Sequence, residues 1–217
     1  MTDYARARAN MVENQLRPSR IDSPRLLTAM GEMPREHFCP PSLRDAAYGD
    51  DDIDLGGGRH LIEPLALARL IQAAEPQAGD VALILGCDTG YGAAVLSRLV
   101  ATVFMLAPDA EQAAATEELL AEIGCDNVVT QVGKAGAGLP AQAPFDIVLL
   151  SGSVDRVPAA LLEQIGDGGR LVAVVNQGRV GRVSIHRRVA GSIGVVTPVD
   201  AMIPPLLELR SPPAFAF

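Results

Sequence analysis

The stretch that most constrains the fold is Val81 to Leu96, VALILGCDTGYGAAVL. An apolar run stops at Gly86, a turn of small residues follows, and an Ala-rich apolar segment begins. That pattern predicts a buried parallel strand, a tight glycine turn and a helix packed back on the sheet. The glycines fall at Gly86, Gly90 and Gly92, with Asp88 where a fully permissive loop would carry another glycine. A helix N-terminus approached by bare backbone can cradle a cofactor, so the turn is the first candidate binding element.

The rest of the chain repeats the alternation. Asp3 to Leu16 predicts a helix ended by Arg17-Pro18, and Asp22-Ser23-Pro24 starts a second that stops near Met33-Pro34. Tyr48 to Gly58 is acidic, then glycine-rich, and shows no period, so it predicts a solvated loop. Its aspartates lack the ligand spacing and closing Glu of an EF-hand, and no metal is expected. Pro64 opens a helix through Ile71. Strands are expected at Thr102–Leu106, Asn127–Val132, Phe145–Leu150 and Leu171–Val175, with helices at Ala110–Ile123 and Val157–Ile165. Strands alternating with helices imply a mostly parallel sheet covered on both faces, an α/β Rossmann-like fold. Val183–Arg188 and Ile193–Val199 close it as antiparallel strands around Gly191. The expected organisation is a single domain, with a helical N-terminal extension over 1–77 and a Rossmann-like core over 78–217.

Composition removes several function classes. The net charge is −8, and an acidic surface lacks the positive field that nucleic acid or anionic lipid requires. No apolar run reaches membrane-spanning length, and the N-terminus has no apolar region typical of a signal peptide. Cys39, Cys87 and Cys125 are scattered without zinc-site spacing and read as reduced, buried thiols of a cytoplasmic protein.

Several blocks then carry a resemblance. MVENQL, MPREHF, the glycine-rich stretch followed by Glu63-Pro64, LGCDTGYGAAVL, GAGLPAQAPFD and LLEQIGDGGRLV resemble the protein-L-isoaspartate O-methyltransferase family, in the family's order and over nearly the whole chain. The resemblance implies an S-adenosylmethionine-dependent methyltransferase fold. It also implies methyl transfer to the carboxylate of an L-isoaspartyl residue in a damaged protein, so the partner is a protein or peptide substrate. The charge pattern agrees with that cofactor class. A dinucleotide pyrophosphate beside Asp88 would cost about 1–4 kcal/mol per like-charge pair at ~4 Å, whereas S-adenosylmethionine carries no phosphate. Asp88 can equally serve as a helix cap that touches no ligand.

By the resemblance, Gly86, Cys87, Gly90, Tyr91, Asp109 and Gly133 are the candidate cofactor contacts. The chain also departs from the family's pattern. Ile84 stands where the family usually has an acidic residue, Ala107-Pro108 where an acid meets the ribose hydroxyls, and Gly133-Lys134-Ala135 where an Asp contacts the adenine side. Asp109 can accept from the ribose or can start the next helix. Two lost charge-assisted hydrogen bonds, at about 1.5–3 kcal/mol each, would weaken binding by ~10² or more.

In the family's substrate loop, Gln-Thr-x-Ser-x-Pro, hydroxyls place the isoaspartyl carboxylate. Here the corresponding residues read Arg59-His60-Leu61-Ile62-Glu63-Pro64. Ile62 cannot hydrogen-bond, so Arg59 and His60 become the candidate carboxylate contacts, with a charged surface loop as the alternative. Ser151-Gly152-Ser153 follows an expected strand, where substrate-facing residues commonly sit. Arg179, Arg182, Arg187 and Arg188 form either a solvated face or a docking patch for an acidic partner. Two functions follow: a carboxyl methyltransferase of the isoaspartyl-repair type, or a catalytically silent binding or scaffolding protein on the same fold.

Overall fold

The computed structural model describes residues 3–87, 89–178 and 180–210. The two readings of Asp88, and the place of Arg179, lie outside the described residues. Helix α1 (Tyr4–Met11) starts where the Asp3 carboxylate accepts the Arg6 N–H at 3.1 Å. It runs on through a π-helical turn, Val12–Leu16, that buries Val12 and Leu16. Ser23 caps α2 (Pro24–Glu32), with Pro24 in the first turn where its missing N–H goes unneeded. Two 3₁₀ segments, Arg35–Phe38 and Pro41–Ala46, lead toward the acidic stretch.

That stretch is not all loop. Strands β1 (Ile53–Gly56) and β2 (Arg59–Leu61) form an antiparallel hairpin, with Gly56, Gly57 and Gly58 all at positive φ. The hairpin is short enough to hide from a periodicity search. Ile53 and Leu61, paired across it, are the apolar residues that fasten it to the core.

After α3 (Pro64–Ala74) the alternation proceeds as expected: β3 (Val81–Leu85), α4 (Tyr91–Ser97), β4 (Thr102–Ala107), α5 (Ala110–Glu122) and β5 (Val128–Val132). Then come β6 (Phe145–Val154), α6 (Ala159–Glu163), β7 (Ile165–Gln177), β8 (Val180–Val189) and β9 (Ser192–Asp200). Helix α6 is shorter than the apolar pattern suggests. Pro158 is held extended at its start, and Ile165 already pairs with Phe145 as the beginning of β7.

The sheet order is β5-β4-β3-β6-β7-β8-β9, parallel from β5 to β7 and antiparallel beyond. Period-two alternation sends Ala82 and Ile84 to the face whose core includes residues of α1 to α5, and Leu83 and Leu85 to the face covered by α6. Arg170 of β7 clamps the end of α3 to the sheet. It donates to the carbonyls of Ala74 and Glu75 and pairs with Asp80 at 2.6 Å. All three cysteines are buried. Among the described residues no helix is long and apolar enough to cross a membrane.

Past β9 the chain turns back across the strand ends. Ala201 and Ile203 enter the core, Pro205 bridges to Ser153 of β6, and Leu207–Leu209 makes one 3₁₀ turn.

Candidate functional site

The parallel strands change direction of progression between β3 and β6, and a crevice opens outside the carboxyl ends of strands at such a point. A cavity of about 240 Å³ lies there. Its floor is Gly86 after β3, Leu106-Ala107-Pro108 at the end of β4, Gly133 and Ala135 after β5, and Ser151 in β6. The glycine hairpin, with Arg59, His60 and Ile62, makes one wall, and the returning segment Pro204–Glu208 makes the other.

Gly86 is required twice over: its φ is +70°, and a Cβ there would collide with the side chain of Leu206. A Cβ on Gly133 would come within 2.8 Å of Leu106 Cδ2. The other candidates of the turn face inward. The Cys87 thiol accepts the Gly92 N–H at 3.1 Å, and a Cβ on Gly90 would lie 2.7 Å from Thr116 of α5. Tyr91 is fully buried beneath the turn, edge-on to Phe38 with ring centroids 5.4 Å apart. Ile84 packs in the core. Asp109 accepts the Gln112 N–H at 2.8 Å as the cap of α5 and does not line the cavity. The structure thus brings Gly86, Gly133, Arg59 and His60 together around the space. It keeps Cys87, Gly90, Tyr91 and Asp109 out of its lining.

On the hairpin wall, Arg59 Nη1 donates to Gln112 Oε1 at 2.9 Å. His60 Nδ1 is buried and has no hydrogen-bond partner among the described residues. His60 lines the cavity, while its Nδ1 atom is itself closed off from solvent. Behind the hairpin, Asp52 accepts the Glu63 N–H at 2.7 Å. Burial raises the pKa of Asp52, and burial together with the Asp52 charge raises that of Glu63.

Two parts of the site escaped sequence reasoning. Arg35, fully buried, donates to the carbonyls of Ala47 at 2.6 Å and Ile62 at 2.7 Å, so it fixes the hairpin over the sheet. Its guanidinium carbon sits 4.7 Å from the Tyr91 ring centroid, and burial lowers its pKa. The second part is the returning segment. Leu206 lies against Gly86 and Gly152, Leu207 against Gly58, and Glu208 accepts the Ala135 N–H at 3.3 Å. The one signal available was a Leu-Leu-Glu-Leu cluster behind two prolines.

The described arginines of the C-terminal basic cluster are engaged locally. Arg182 pairs with Asp200 at 3.1 Å, Arg187 with Glu75 at 2.9 Å, and Arg188 donates to the Leu162 carbonyl.

Residues 6–205 match the family described as protein-L-isoaspartate(D-aspartate) O-methyltransferase. A protein-L-isoaspartate O-methyltransferase of Koribacter versatilis is 34% identical over 207 residues, 95% of this chain and 93% of the relative. One from Roseiflexus castenholzii is 38% identical over 189 residues, 87% of this chain and 86% of the relative. Among solved structures, a protein-L-isoaspartate O-methyltransferase aligns with a TM-score of 0.79 at 21% identity, over 94% of this chain and 67% of that one. A Plasmodium falciparum structure of the same description, in complex with S-adenosyl-L-homocysteine, aligns with a TM-score of 0.77 at 16% identity, over 96% of this chain and 100% of that one.

Proposed function

This chain belongs to the protein-L-isoaspartate(D-aspartate) O-methyltransferase family, and from that membership we propose that it transfers a methyl group from S-adenosylmethionine to an isoaspartyl carboxylate of a protein or peptide. The observation that carries this reading is the cavity at the carboxyl ends of β3 to β6, which Gly86 and Gly133 help to line. The residues present fit an adenosyl group. Leu106 and Ala107 offer an apolar wall to a purine, with the side chain of Leu206 packed against Gly86 and that of Leu106 against Gly133.

When bound, the cofactor supplies a methyl group activated by its positively charged sulfur. A carboxylate is already ionised near neutral pH, so no general base is needed. What the protein must provide is alignment and exclusion of water. Arg59 and His60, both on the hairpin wall of the cavity, are the groups proposed to hold the substrate carboxylate, Arg59 by charge and His60 as a donor. Ser151, across the cavity, is placed to face the substrate. Leu206 and Leu207 shield the space from solvent along the opposite wall.

Calorimetric titration with S-adenosylhomocysteine, followed by labelled-methyl transfer to an isoaspartyl peptide, tests the proposal. Saturable binding and transfer to the isoaspartyl peptide but not to its normal Asp counterpart are expected. No heat at millimolar ligand, or transfer to the Asp peptide instead, would reject it.

A further inference from the structure

A nucleoside cofactor brings two vicinal ribose hydroxyls, and open α/β sheets ordinarily meet them with a carboxylate at the end of the second strand of the binding unit. Here that strand is β4, and it ends in Ala107-Pro108. Neither side chain can hydrogen-bond, and Pro108 has no N–H. Asp109, the next residue, is committed to capping α5. Among the described residues that line the cavity, a single carboxylate remains: Glu208.

Glu208 is held where it is by its neighbours. The Pro204 carbonyl accepts the Ser153 N–H at 2.8 Å, and the Leu206 N–H donates to the Ser153 carbonyl at 2.9 Å, so the segment is stitched to β6 on both sides of Pro205. Leu206 and Leu209 close on Gly86 and Gly136 at the ends of β3 and β5. Between them, Glu208 Oε2 accepts the Ala135 N–H, which places the carboxyl group beside the β5 end of the cavity, next to Gly133. A carboxylate has about four acceptor sites, and this contact uses one of them.

We propose that Glu208 is the ribose-positioning residue of the cofactor site, delivered by the C-terminal segment in place of the missing acid at the end of β4. The assignment rests on the reading that the crevice holds an adenosyl cofactor. It accounts for an apolar β4 terminus within a site that retains its glycines, and it gives the returning segment a chemical role besides that of a wall.

The test pairs two ligands with three proteins. The full chain, Glu208→Gln and Glu208→Ala are titrated calorimetrically with S-adenosylhomocysteine and with its 2′,3′-dideoxyribose analogue. Glu208→Ala should bind S-adenosylhomocysteine about 10- to 100-fold more weakly, the range for losing a hydrogen bond to a charged group. Glu208→Gln, which keeps one acceptor, should fall between. All three proteins should bind the dideoxy analogue alike, because the partner hydroxyls are absent. A loss of equal size for both ligands would show that Glu208 only props the wall, and unchanged or tighter binding would show that the segment stands outside the site or obstructs it. Either result overturns the assignment and leaves the cofactor reading intact. Failure of the full chain to bind S-adenosylhomocysteine would overturn both. Glu208 is exposed and makes one backbone contact, so thermal melts of the variants should match the wild type.

Discussion

Arg35 is a buried strut between two separate stretches of chain. Charged side chains are almost never fully buried without compensation, and here two carbonyls from separate loops supply it. The planar fork of a guanidinium can reach both at once, which a lysine cannot. Replacing Arg35 by Met should therefore destabilise the protein by about 2–5 kcal/mol in urea unfolding, since two buried acceptors lose their donor. Arg35→Lys should recover only part of that loss, and a loss under ~0.5 kcal/mol for either variant would show that the post is dispensable. The block MPREHF displayed this residue openly, but nothing in its spacing distinguishes an internal strut from a surface charge. The same holds for Tyr91, a candidate cofactor contact by the resemblance, whose ring is fully buried. Sequence period reports which face of an element is apolar; it is silent on which polar side chain the core has claimed.

At the scale of elements, legibility follows period. Strand β3, its turn and α4 were readable because an apolar run, glycines and a second apolar run succeed one another. The hairpin β1–β2 and the returning segment were not, since one is too short and the other too rich in proline to show a period. Their association with the glycine turn makes a quantitative prediction. Gly86→Ala should cost about 1–2 kcal/mol for its positive φ alone, and more because the new methyl collides with Leu206. Adding Leu206→Ala to that variant should return the steric part but not the backbone part. If the two substitutions instead add independently in denaturant melts, the Gly86–Leu206 contact does not matter to stability.

For the molecule as a whole, the expected mostly parallel α/β sheet with helices on both faces is the architecture observed, and the relatives place it in a methyltransferase family. One group away from the crevice ties global stability to pH. His186 on β8 is half-buried, its Nε2 3.0 Å from Ser184 Oγ, and burial lowers its pKa below the usual histidine value. A base with a depressed folded pKa contributes its full stability above the unfolded value, near 6.5, and loses it as pH falls through the folded one. Below pH 6.5, His186→Gln should therefore lose less melting temperature than the wild type, with the two curves parallel above pH 7. Parallel curves down to pH 5 would exclude His186 as the cause.

The returning wall also sets an order of events during synthesis. Residues 204–209 leave the ribosome after all seven strands of the main sheet, so a nascent chain can assemble its sheet and hairpin before the crevice has its second side. A polypeptide released just after Asp200 would keep every strand of that sheet and lack the wall. In chain order the binding crevice is thus completed last: a truncated product can resemble the finished protein in secondary structure and still be unequipped for its ligand.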